Sequence, residues 1–476
     1  MCLGRCVRAR ESVGGTTTGV ESVTAMNGIV LAVVVAIIAA FPLVVVFSPN
    51  LVNKPEWPYP VEHFSSTSSA TALWRTKIGC HHWGPGCWNP LFQGTDSSPA
   101  VHYHRDSSLT TVVIGSYDKY LRGLNAHDGS VEWAVYGVGG EDSPKVTTGG
   151  IVYAWGGLSS QTLHAIKVGG IPLWNWTVPS QDVGQITSSG IDEDNKLVFA
   201  GTTGGFLYGV DMVSGETKWT YYAGGEMWST RGPLTRSNGI DGRPVVCVGV
   251  GGAPNFLEDC RPHVHCVDQI SGILISKREC GRQIQSQPGF SAASNTMYVG
   301  DYSGCLSAFE NTKSGKRLWR ACMDGEPGHW RGTALISSPA IARIHLPGHN
   351  NSEDGARTAR QDLVIIGSTN GMLYSVLGES GKVLWKTVLG PSAGKYRFCS
   401  NCGIGSSAVI NKKQDTAYVG GPTGLWAINV STGAPIWFFQ TAVQVGSSPA
   451  IIPDPHGDII VVGCEDGYLY AVKEGS

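Results

Sequence analysis

One motif returns eight times along this chain, and nothing else limits its fold so tightly. Near the C-terminus it reads Gly446-Ser447-Ser448-Pro449-Ala450, then Ile459-Ile460-Val461-Val462-Gly463, then Asp466-Gly467-Tyr468-Leu469-Tyr470-Ala471-Val472. An earlier copy runs Ser337-Ser338-Pro339-Ala340, Leu363-Val364-Ile365-Ile366-Gly367, Asn370-Gly371-Met372-Leu373-Tyr374-Ser375-Val376, then Ser380-Gly381-Lys382-Val383-Leu384-Trp385. A unit of this length cannot bury its own apolar faces and must stack on its neighbours.

Each unit divides into four short strands. The first is small and apolar, and the second is β-branched and ends in Gly. An Asp-Gly or Asn-Gly turn, a strong hairpin signal, leads to the third. The third alternates, as in Leu207-Tyr208-Gly209-Val210-Asp211, which predicts one face toward a core and one away. A Ser/Thr-Gly turn leads to the fourth, which closes on Trp. Four antiparallel strands in a unit of about 40–50 residues predict the blade of a β-propeller.

The closing Trp counts the blades: Trp133, Trp174, Trp219, Trp319, Trp385 and Trp437. Between Trp219 and Trp319 lies one more unit, with Cys280 taken as standing near the Trp place. The last unit has three strands and no fourth. The missing strand is assigned to residues 71–77, which carry Trp74, so that an N-terminal strand closes an all-β, eight-bladed ring over residues 71–476. Closure leaves no long unpaired edge. The Trp rings are read as wedges between blades rather than ligand contacts, and the Ser-Ser-Pro-Ala strands as small residues crowding the axis. Glycine, 64 of 476 residues, suits the many tight turns. Charged residues are 15% and net charge is −2, which gives no support for nucleic-acid binding.

Residues 28–47 carry no charge and are long enough to span a bilayer as one helix. Arg5, Arg8 and Arg10 precede them, which places the ring on the extracytoplasmic side, lumenal or extracellular. A cleaved signal peptide is the rival reading, although its apolar region is usually only about 7–15 residues. Met26 offers an alternative start. Residues 1–27 are then a cytoplasmic or leader segment, and the Pro- and Ser-rich residues 48–70 a linker.

Eleven of the thirteen cysteines follow the apolar run. Cys80 with Cys87, and Cys399 with Cys402, are candidate disulfide residues in an exported chain. The spacing does not fix the pairing, and zinc held by the same cysteines with His81 and His82 is the other option. Cys247, Cys305 and Cys464 fall on strand patterns and are read as buried thiols. Asn175, Asn350 and Asn429 head N-glycosylation tripeptides.

The fragments Gly201-Thr202-Thr203-Gly204-Gly205-Phe206-Leu207-Tyr208-Gly209-Val210-Asp211 and Ser214-Gly215-Glu216-Thr217-Lys218-Trp219 resemble the repeat of pyrroloquinoline-quinone-type propellers, a likeness that runs from about Thr71 to Ser476. The resemblance implies the fold and divides on function. Some members are quinoprotein dehydrogenases that bind the quinone and calcium. Others, such as the BamB-type scaffold of bacterial outer-membrane assembly, bind proteins, and lumenal sensor domains that dimerise share the repeat. This chain lacks the adjacent Cys-Cys pair of many quinoprotein alcohol dehydrogenases and shows no calcium set of Glu, Asn and Asp at matching positions. No catalytic triad or metal set stands out.

In such a blade, the turn between strands two and three and the link to the next blade share one end of the ring. The links carry Trp228, Arg231, Arg282, Trp330, Arg331 and Arg397, and the alternative is that these side chains brace the loops. Stacking and forked hydrogen bonds would suit a planar or anionic group or a peptide. The expectation is a membrane-anchored, non-catalytic scaffold for a protein or peptide partner, with no cofactor. The alternatives are a membrane-bound quinoprotein dehydrogenase, which would need the quinone and calcium, and a dimerising sensor.

Overall fold

The computed structural model describes residues 68–79, 94–105, 109–140, 143–156, 160–227, 235–251, 262–323, 333–345, 360–390 and 403–475, all in the compact unit Phe64–Ser476. Every regular element among them is a strand. Blades 1 to 7 span residues 100–136, 145–177, 186–222, 235–279, 289–322, 340–388 and 409–440. Blade 8 joins residues 450–474 to the strand Ser68–Lys77. Each blade is a four-stranded antiparallel sheet in sequence order from axis to rim, the last being completed by the N-terminal strand. The inner strand of blade 8, Ala450–Ile452, lies beside that of blade 1, Ala100–Tyr103, so the ring is closed.

The closing strand is longer than the sequence suggests. Ala70 through Lys77 pair antiparallel with Glu474 back to Tyr468. Ser68 and Ser69 run on in parallel beside Trp437 and Phe438 of blade 7, so blades 7 and 8 share one eight-stranded sheet. The linker read as 48–70 therefore gives up its last three residues to the ring.

The third strands also depart from expectation. In blade 3 the second strand, Leu197–Thr202, is buried throughout, and the third, Phe206–Asp211, is buried at its four central positions. A blade is covered on both sides by its neighbours, so its middle strands are apolar on both faces. Alternation survives on the outermost strand, Thr217–Tyr222, which has no further strand at its edge.

The Trp positions explain three features of the repeat at once. Trp133, Trp174, Trp219, Trp319, Trp385, Trp437 and Trp74 each stand opposite a small residue on the third strand of their own blade: Gly123, Ala165, Gly209, Ala308, Ser375, Ala427 and Ala471. The indole N–H of Trp74, Trp174, Trp219, Trp319 and Trp385 donates to a backbone carbonyl of the following blade, those of Ala126, Met212, Gln269, Gly378 and Val430, at 2.8–3.1 Å. The ring lies against the turn glycine of that blade. At Gly272, with φ of 70°, a Cβ would sit 2.6 Å from the Trp219 ring. The repeat thus keeps glycine there both for its backbone angle and for the neighbouring indole.

Blade 4 has no Trp, and its slot is filled differently. Ser276, not Cys280, stands at the Trp register opposite Cys266. The slot is taken by Arg278, two residues further on and 1% exposed. Its Nη2 donates to the carbonyls of Glu310 and Thr312 in blade 5 at 3.4 and 3.2 Å, and its stem covers Gly315. Burial lowers the guanidinium to about 10, so it stays charged at neutral pH. With no indole to accommodate, the facing position carries Cys266, which forms a disulfide with Cys247 directly across the hairpin. Cys305 and Cys322 are bridged in the same cross-strand manner in blade 5. Cys247 and Cys305 are therefore disulfide-bonded rather than free thiols, because their partners stand opposite on the adjacent strand. Cys464 and Cys280 are buried thiols, both pushed up by burial, Cys280 to about 12.

At the axis the two serines of Ser-Ser-Pro-Ala have separate tasks. The first closes the inner hairpin: Ser337 and Ser447 each exchange two hydrogen bonds with the backbone of Gly367 and Gly463. The second links blades. The backbone N–H of Gln287 donates to the Ser338 hydroxyl, that of Ser338 to Ser407, of Ser407 to Ser448, of Ser448 to Ser98, and of Ser98 to Ser143, all at 2.9–3.1 Å. This belt runs from blade 5 through the point of closure to blade 2.

Candidate functional site

The turns between second and third strands and the inter-blade links meet at one end of the ring. Of the residues singled out there, Arg282 is described: it is exposed, in the link from blade 4 to blade 5. Trp228, Arg231, Trp330, Arg331 and Arg397 lie outside the described residues, as do Cys80, Cys87, Cys399 and Cys402. So do residues 28–47; among the described residues no helix is long and apolar enough to cross a membrane.

What the structure does show at this end is a series of acids and amides that brace their own turns. Asp466 accepts the N–H of Tyr468 at 3.0 Å and the hydroxyl of Tyr470 at 2.7 Å. Asn370 accepts from the N–H of Met372 at 3.0 Å and donates to the Tyr374 hydroxyl at 2.7 Å. In blade 1 the partner four residues on is Arg122, which forks onto both oxygens of Asp118 and reaches the Ile78 carbonyl at 3.0 Å. The Asp-Gly signature is thus a turn device: the side chain closes the hairpin, and a hydroxyl or guanidinium from the following strand steadies it.

Two acids that sequence reasoning passed over tie the links to the blades. Asp182, 2% exposed, accepts the N–H of Gly184 at 2.8 Å and the hydroxyls of Thr202 at 2.7 Å and Tyr208 at 3.1 Å. Burial, and then the adjoining carboxylate, push the Tyr208 phenol up, so it stays a donor. Asp301, 1% exposed, holds Arg320 in an ion pair at 3.0 Å and accepts from the Gly281 N–H at 3.1 Å and from the hydroxyl and N–H of Ser303. Their sequence signal was slight: Asp182 lies in a link with no motif, and Asp301 stands where blades 1, 3 and 6 carry Ser116, Thr202 and Ser368.

The quinone and calcium of the dehydrogenase reading can be tested against these groups. Among the described residues no three His, Cys, Asp or Glu side chains come together as a metal would require. Asp118, Asp182, Asp301 and Asp466 spend their oxygens on turn amides, hydroxyls and guanidinium groups. These four acids do not fit a calcium ligand set, and no redox step is derived for the described residues.

The closed ring of eight four-stranded blades is a β-propeller, and over part of the chain its repeat is similar to that of a pyrroloquinoline-quinone-like family. Residues 304–476 match the family described as outer membrane protein assembly factor BamB. The crystal structure of BamB from Moraxella catarrhalis superposes with a TM-score of 0.54 at 17% identity, over 85% of this chain and 99% of that one. A computationally designed protein, Ika8, gives a TM-score of 0.54 at 15% identity, over 80% and 98%. A quinohemoprotein alcohol dehydrogenase from Pseudomonas putida HK5 aligns with a TM-score of 0.45 at 12% identity, over 71% and 74%. No curated protein matches the sequence.

Proposed function

We propose that this propeller is a non-catalytic scaffold that binds a protein or peptide partner, held at a membrane by residues 28–47 with its ring on the extracytoplasmic side. One observation carries the reading: Asp182, Asp301 and Asp466 at the loop-bearing end are held by their own turns and links, as parts of a braced platform rather than poised acids and bases. The likeness to BamB supports it, since that family is described as an assembly factor. The two cross-strand disulfides support an oxidising compartment.

The binding face is the set of links that carries Arg231, Arg282 and Arg331, with Trp228, Trp330 and Arg397 beside them by sequence. The test is capture of the partner by proximity labelling from the intact anchored protein. Replacing Arg231, Arg282 and Arg331 together by Ala abolishes labelling of the partner while the ring keeps its unfolding transition. Labelling that is unchanged by the triple variant moves the face elsewhere. Reduction of a dye by alcohols or aldose sugars, after addition of quinone and calcium to the ring, overturns the non-catalytic reading.

A further inference from the structure

Two of the three glycosylation tripeptides fall on described residues, and the fold treats them in opposite ways. Asn429 ends the third strand of blade 7, and its Oδ1 accepts from the N–H groups of Ser431 and Thr432 and from the Thr432 hydroxyl, each at 3.0 Å. Asp211 and Asp268 hold the same turn in blades 3 and 4 in the same way. The Asn429 tripeptide is therefore accounted for by the repeat itself.

Asn175 has no such task. It lies on Ile171–Thr177, the outermost strand of blade 2, with no strand of the sheet beyond it. Asn175 and Thr177 stand opposite His164 and Thr162 and are exposed, while Trp176 between them is buried; the strand bulges between Pro172 and Trp174, and Ile171, Pro172 and Leu173 are exposed as well. Ile171 and Leu173 are 57% and 48% exposed, so this rim strand shows apolar side chains to water. Pro172 already removes one N–H from the strand, a common way to blunt an edge. The Asn175 Oδ1 lies 2.8 Å from Nδ1 of His164 on the neighbouring strand. Burial keeps that imidazole below its usual range, hence neutral at pH 7, and its Nδ1–H donates. The contact fixes the amide through its oxygen and leaves Nδ2 out of it.

We propose that Asn175 carries an N-linked glycan and that the sugar shields this exposed outer edge of blade 2. The donor is a lipid diphosphate-linked oligosaccharide. The Asn175 Nδ2 loses a proton and forms a bond to the anomeric carbon, the bond from that carbon to the phosphate oxygen breaks, and the lipid diphosphate leaves. The inference rests on the extracytoplasmic placement proposed above.

The full chain, expressed in eukaryotic secretory cells with a glycosylation tripeptide in a tag after Ser476, is compared by gel mobility before and after peptide N-glycosidase. The expected result is one step of mobility lost in Asn175→Gln and in Thr177→Ala, retained in Thr177→Ser, and unaffected by Asn429→Gln. A tag that carries sugar while Asn175→Gln and Thr177→Ala leave the mobility unchanged overturns the site. A tag without sugar shows a ring on the cytoplasmic side and overturns the placement, and the site with it.

Discussion

Blades 3 and 4 send different side chains into the same slot of the next blade. Trp219 enters as a ring that lies on Gly272 and donates one hydrogen bond to Gln269. Arg278 enters as a chain that lies on Gly315 and donates to two carbonyls. The receiving glycine is retained in both, because what must be avoided is a Cβ under the incoming side chain, whatever it is. The opposing residue is not retained. Gly209 makes room for the indole, whereas Cys266, relieved of it, is free to bridge to Cys247. The seam is specified by the receiving blade, and the donor side chain can change if its neighbours change with it.

Three measurements break or sharpen that contrast. The largest effect is expected at the aromatic seam. Trp219→Ala removes a buried ring and its hydrogen bond and should cost about 3–5 kcal/mol in denaturant unfolding. A loss below about 1 kcal/mol would mean that the ring is not a wedge. Next, Arg278→Ala should cost about 3 kcal/mol, since it opens a cavity and leaves two carbonyls unpaired. Arg278→Met, which keeps the buried stem and drops the charge, should recover most of that loss, because a buried charge can often be replaced by an apolar group of similar volume. Equal losses for Ala and Met would show that the hydrogen bonds, not the packing, hold the seam.

The third measurement separates the two seams by pH. His265 of blade 4 meets the Tyr221 hydroxyl of blade 3 at 2.9 Å. Burial, then the charges of Lys277 and His263, lower its imidazole to about 4. The folded state favours the neutral ring, so its contribution is complete above the ordinary value of 6.5 and is lost as pH falls from there toward 4. The loss is at most about 3 kcal/mol. His265→Phe should flatten that part of the stability profile, read by unfolding midpoints between pH 7 and 4. Arg278, a cation throughout that interval, should add no slope. A profile unchanged by His265→Phe places the acid sensitivity elsewhere.

The ring itself was legible because it is written eight times. Strand number, blade order and the N-terminal closing strand follow from the motif, since each copy repeats the same physical demand for stacking. Blade 4 shows where such reading slips. Trp stands four positions after the turn glycine in the copies that carry both, as from Gly215 to Trp219, and the same step from Gly272 reaches Ser276. Cys280 looked right by its place near the next link. The register decides for Ser276, and the Cys at 266, where other blades carry Gly, Ala or Ser, was the available signal. The cross-strand disulfides were hidden for a related reason: cysteines on strand patterns look like core until the facing register is known. The proposed binding face was the least legible part. Its links differ in length and composition from blade to blade, so no repeat averages out the noise, and a side chain there is read singly.

The belated partner of the N-terminal strand has a consequence for how the molecule is made. Ala72 and Val472 pair across roughly 400 residues of chain, so the first strand leaves the ribosome long before its mate exists. Until then its apolar side stays uncovered, and the last blade cannot be finished. A nascent product halted before Tyr468–Glu474 lacks the mate of its first strand, so the seam that closes the ring is the last to form.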